Sequence, residues 1–117
     1  VPTPIQVVRD PITIEDLRRV AREQFGEMVK AVVDVAQGMM AIGGELHADE
    51  EAVLLDQGSH QPDLWGINVY PDAARAERVE FDSMINVRPA QGNRSRSVED
   101  AAVRSRILDV VDRLVHE

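Results

Sequence analysis

The sequence predicts an α+β fold in two layers, a mostly antiparallel sheet of four to five strands with helices on one face. Three observations predict it. Segments near both ends, "TIEDLRRVAREQF" and "VEDAAVRSRILDVVDRLVHE", carry capping residues and apolar positions at helical spacing. The middle holds stretches in which apolar and polar residues alternate, as half-buried strands require. The connections are short, which favours hairpins over parallel crossovers.

In chain order, Ile5 to Arg9 reads as an extended edge segment that Asp10-Pro11 interrupts. Thr13 then caps the first helix with Asp16 at the capping-box offset, and Leu17, Val20, Ala21 and Phe25 form its core side before Gly26. "MVKAVVDVAQGMMAIGG" reads as two strands around a turn at Gln37-Gly38, with Val29, Ala31, Val33 and Val35 on one face and Lys30, Val32 and Asp34 on the other. Asp49 is the expected start of a short second helix that Gly58 ends. "DLWGINVY" and "RVEFDSMINVR" follow as strands, and Ser97, with Asp100 at the box offset, is expected to cap the last helix.

With 117 residues the chain forms one globular domain, residues 1–117, able to bury roughly two thirds of its unfolded surface. Apolar residues make up 44% and charged residues 29%, the proportions of a soluble globular protein. The absence of cysteine excludes disulfide scaffolds, thiolate metal sites and cysteine nucleophiles. No apolar run reaches membrane-spanning length and "VPTPIQVVRD" lacks a signal-peptide layout, so a cytoplasmic location without membrane association is expected. The net charge of −8 opposes general nucleic-acid binding. All basic side chains but Lys30 are arginine, which reads as compositional bias.

Two near-repeats, "GINVYP" and "MINVRP", each place an asparagine in a strand-like run. Asparagine is disfavoured in strands because its side chain competes for backbone hydrogen bonds. If these strands pair, Asn68, Tyr70, Asn86 and Arg88 share one face, which Asp34 and Lys30 of the first hairpin join. Such a face is either a ligand-binding floor or a solvated or dimer surface, and the latter makes a homodimer the expected assembly. In "RPAQGNRSRS", Asn93, Arg94 and Ser95 with Arg88 are candidates to hold a small anionic ligand, although a plain turn explains the residues equally.

Glu45, His47 and Asp49 alternate in "GGELHAD", so on an extended segment all three would reach one Zn, Mn or Mg ion. Against this stand the capping role of Asp49 and the commoner structural use of a lone histidine. The leading functional expectation is a binding or interaction protein. The alternative is a small enzyme, metal-assisted or not, using His47 with Glu45, Asp34 or Asp49 and an Arg88/Arg94 anion clamp. No nucleophile elbow or phosphate-loop motif is present, and the sequence leaves any cofactor unknown.

The blocks "MVKAVVDV", "MAIGGELHADEE", "LWGINVYP" and "INVRPAQGNRS", in this order, resemble a family of short uncharacterised bacterial proteins, a domain of unknown function. The resemblance runs from Pro11 to the last helix. It implies a bacterial cytosolic single-domain protein and carries over no catalytic residue.

Overall fold

A computed structural model describes residues 5–117. The chain runs β1 (Gln6–Val8), β2 (Ile12–Thr13), α1 (Ile14–Glu23), β3 (Val29–Asp34), β4 (Met39–Ile42), α2 (His47–Asp56), β5 (Leu64–Val69), β6 (Val79–Glu80), α3 (Ala101–Leu114) and β7 (Val115–His116). The main sheet has the order β1-β4-β3-β5-β6 with every pair antiparallel. A parallel bridge of β2 with β7 ties the start of α1 to the end of α3. The fold is α+β, and among the described residues no helix is long and apolar enough to cross a membrane.

The sheet carries helices on both faces, which corrects the two-layer expectation. Val29, Ala31, Val33, Trp65, Ile67 and Val69 face α1 and α3, whose Leu17, Val20, Ile107, Val110 and Leu114 complete that core. On the opposite face Val32, Met39, Ala41 and Leu64 pack against Leu54 of α2. The strand alternation is as read, but its polar side looks at a helix. What concealed this is the make-up of α2. Its apolar residues do not line a single stripe, and two of its three buried side chains are His47 and Glu50.

Several boundaries move for local reasons. The capping box of α1 forms as expected: Asp16 N donates to Thr13 Oγ1 at 3.1 Å and Thr13 N to Asp16 Oδ2 at 3.0 Å. Phe25, however, lies beyond the end of α1 and is 41% exposed. Helix α2 starts two residues before Asp49, with Leu46 as an N-cap that supplies no side-chain bond. Helix α3 is capped by Asp100, whose Oδ1 accepts from Ala102 N and Val103 N, and not by Ser97.

The expected fourth strand stops at Glu80. Beyond it, Ser83 N donates to Arg96 O, and Ser83 Oγ accepts from Ile85 N to start a 3-10 turn over Met84–Asn86. The turn breaks the alternation: Phe81 packs on the α1/α3 side and Ile85 on the α2 side.

Candidate functional site

The sheet face expected to hold a ligand is built largely into the scaffold. Asn86 is fully buried in the 3-10 turn, where its carboxamide replaces the missing strand. Its Oδ1 accepts from Gly66 N at 2.8 Å, and its Nδ2 donates to Gly66 O at 2.9 Å and Arg96 O at 3.0 Å. Gly66 permits this close docking, since a Cβ there would lie 2.5 Å from Ser83 Cβ.

Asn93 is a second internal hub. Its Nδ2 donates to the carbonyls of Asn86, Ser95 and Ser97, and its Oδ1 accepts from Glu99 N. Arg88 stacks on Trp65 at 4.1 Å and donates to the carbonyls of Gln61 and Leu64. Asp34, fully buried, accepts from Ala36 N, Gln37 N, Gln37 Nε2 and Ser59 Oγ, and so holds the β3–β4 turn. The bonded atoms of all four are committed inside the protein, and Arg88 Nε is buried without a partner.

The Arg94–Ser95 loop is already occupied by an internal carboxylate. Arg94 N and Ser95 N donate to Glu99 Oε2 at 2.9 and 2.8 Å. Hydrogen bonding from the Ser95 side chain, then from these N–H groups, holds the Glu99 carboxyl below its ordinary value. The carboxylate that these N–H groups hold belongs to the chain itself, Glu99.

The metal candidates are not assembled. A helix starting at His47 replaces the extended segment, so His47 turns inward while Glu45 and Asp49 remain exposed. Among the described residues no group of three or more His, Asp or Glu side chains is disposed to hold a metal ion. His47 and Asp34 likewise form no acid–base pair, because Asp34 is committed to the turn and Ser59.

Of the sequence candidates, Arg88 borders an open depression of about 390 Å³ with Gln61, Pro62, Pro89, Ala90 and Gln91, and His47 borders a recess where several charged and polar side chains converge. This recess, about 310 Å³, opens between the start of α2 and the 83–86 turn. It is lined by Lys30 of β3, His47, Arg96 and Ser83, with Leu46, Met84 and Ile85 as apolar wall. Lys30, the chain's single lysine, makes no ion pair among the described residues, and its Nζ lies 5.3 Å from the Phe25 ring centroid. Arg96 Nε donates to Asp82 Oδ1 at 2.6 Å, so these two form an ion pair at the edge of the recess.

His47 Nε2 donates to Ile67 O at 2.7 Å, since a carbonyl can only accept. Burial pushes the imidazole below its ordinary value, with Lys30 and Arg96 acting in the same direction and the Ile67 carbonyl and Asp82 opposing. The ring is therefore neutral at pH 7, and Nδ1 keeps a lone pair without a protein partner among the described residues. Behind it, Glu50 is fully buried with Oε2 accepting from Gly44 N at 2.9 Å and Oε1 unpartnered. Burial pushes its carboxyl up to about 9, so it is protonated at neutral pH. Gly44 admits it, because a Cβ there would sit 2.7 Å from Glu50 Cγ.

Of these groups the sequence places Lys30 on the polar sheet face without singling it out as a ligand group, and it passes over Glu50. Lys30 had a signal, a lone lysine at a polar strand position in an arginine-rich chain. Glu50 had none, because "DEE" at a helix start reads as dipole partners.

No curated protein and no solved structure matches the chain. The family described as "Protein of unknown function (DUF5674)" matches residues 6–114, nearly the whole length, and the protein belongs to that family.

Proposed function

We propose that the protein binds a small organic anion in the recess between α2 and the 83–86 turn. One observation carries this: the chain's lone lysine, unpaired, stands with Arg96 and neutral His47 around one cavity of a protein whose net charge is −8. Its volume of about 310 Å³ is at the lower end for small-molecule sites. The first N–H groups of α2 belong to two residues of the lining, His47 and Ala48, and no side chain caps them. Lys30, Arg96 and these N–H groups are cations or donors suited to carboxylate or phosphate, and His47, whose Nε2–H is held by Ile67 O, borders them with an acceptor.

The recess is complete within one chain. The open sheet face on which a homodimer was expected lies under α2, so a dimer would form through another surface. The setting that fits this reading is the bacterial cytoplasm, on the strength of the motif blocks quoted above.

The test is calorimetric titration with acetate and with inorganic phosphate at pH 7, on the parent and Lys30→Gln. Charge-assisted bonds of ~1.5–3 kcal/mol make the expected loss in the variant about tenfold or more. Equal affinities in the two proteins, or no binding to either, would overturn the proposal.

A further inference from the structure

The rim of the recess carries information that its charges do not. Met84 is 64% exposed and Leu46 56% exposed, the two most exposed large apolar side chains among the described residues. Both line the recess, Met84 from the 3-10 turn and Leu46 from the residue preceding α2. Ile85 joins them, and the Phe25 ring, 41% exposed, lies under the Lys30 ammonium. Isolated apolar side chains on a surface need no explanation, whereas an apolar collar around a cationic floor does.

Resting on the anion-binding reading, we infer that the ligand is an amphipathic monoanion, an aliphatic carboxylate whose head meets Lys30 and whose chain lies against Leu46, Met84 and Ile85. The charge sign follows from Lys30, which makes no ion pair among the described residues, beside an Arg96 that shares its charge with Asp82. One free cation matches one negative charge better than the two of a phosphate dianion. The chain length follows from volume. About 310 Å³ accommodates ~10 water-sized groups, hence a carboxylate and roughly six to eight carbons. The nine-tenths-buried His47 belongs to the lining, and its Nδ1, without a protein partner among the described residues, is an acceptor for a hydroxyl or bound water.

The experiment is a calorimetric series of acetate, butyrate, hexanoate and octanoate at fixed pH and ionic strength, below micelle-forming concentrations. Affinity should rise about 3–4-fold per methylene until the rim is covered. A Leu46→Ser/Met84→Ser variant should lose most of that chain-length gain. Both side chains are largely exposed, so its melting temperature should match the parent's. Lys30→Gln should weaken the whole series.

If acetate and phosphate bind but chain length has no effect, the inference fails while the anion-binding reading stands. If no anion binds, both fall. A free-carboxylate peptide ending in leucine that binds more tightly than octanoate would overturn the small-ligand class in favour of a chain terminus.

Discussion

Asn86 and Asn68 occupy near-identical sequence contexts and end in different roles. Asn86 satisfies both backbone groups of Gly66 and the Arg96 carbonyl, whereas Asn68 Nδ2 donates to Glu80 Oε1 at 2.8 Å and its Oδ1 is unpartnered. Replacing Asn86 by valine strands two buried backbone groups, the N–H and C=O of Gly66, each at ~1–3 kcal/mol, while the Arg96 carbonyl keeps its bond from Ser83 N. Asn86→Val should therefore lower the melting temperature by many degrees and Asn68→Val by far fewer, as differential scanning calorimetry will read. Equal shifts would contradict the assignment of Asn86 as a surrogate strand.

Glu50 gives the residue-scale pH signature. Its folded value, about 9, lies above the ordinary 4.5, so between these the native state holds a proton that the unfolded chain has released. Stability consequently falls as pH rises across that window, with a limiting slope of ~1.4 kcal/mol per pH unit from this group. Glu50→Gln should lack the slope, so chemical denaturation at several pH values should show its advantage over the parent growing with pH. Parallel curves would count against a neutral buried carboxyl. His47 acts oppositely. Its folded value is depressed below 6.5, so protonation disfavours the fold and stability is lost as pH drops through that value.

At the scale of elements, the start of α3 corrects the expectation that Ser97 caps the helix. Asp100 makes the cap bonds, while Ser97 lies three residues outside the cap and offers its backbone carbonyl to Asn93. Asp100→Ala should cost ~1 kcal/mol in urea denaturation, and Ser97→Ala should be nearly silent. The docking of the 83–97 segment on β5 depends on Gly66. Gly66→Ala drives a Cβ into Ser83, whose own backbone is tied to Arg96 O, so the strain reaches the wall of the recess. That variant should lose ~1–3 kcal/mol of stability and bind anions more weakly in the same titration. Helix α2 is the element that turns a half-exposed sheet into a buried one, and it brings His47 and Glu50 onto the face where Lys30, Asp34 and Asn68 lie.

Across the whole molecule, charge and dimensions set how an anion approaches. The extents are 37 × 32 × 23 Å and the net charge is −8, so at ionic strengths of ~0.01 M, where screening reaches ~30 Å, the ligand feels repulsion from the far side too. At ~0.15 M screening shortens to ~8 Å and the local cations dominate. The association rate of hexanoate in stopped-flow should therefore rise with salt over this range, opposite to electrostatically steered binding. A falling rate would mean that the recess dominates the field even at long range.

How much of this was legible beforehand depends on the range of the forces involved. Capping, strand alternation and hairpin connectivity act between near neighbours, so the sequence by itself determined α1, β3, β4, β5, the apolar stripe of α3 and the antiparallel α+β class. Two things belonged to the tertiary structure. One was the placement of α2 on the second face, because its mixed surface encodes no single direction. The other was the fate of each polar group: whether Asn86 meets a ligand or Gly66, and whether the Arg94–Ser95 loop meets a guest or Glu99. Each polar side chain must find some partner when buried, and the partner is fixed by which distant segment arrives, a long-range outcome that local pattern does not contain.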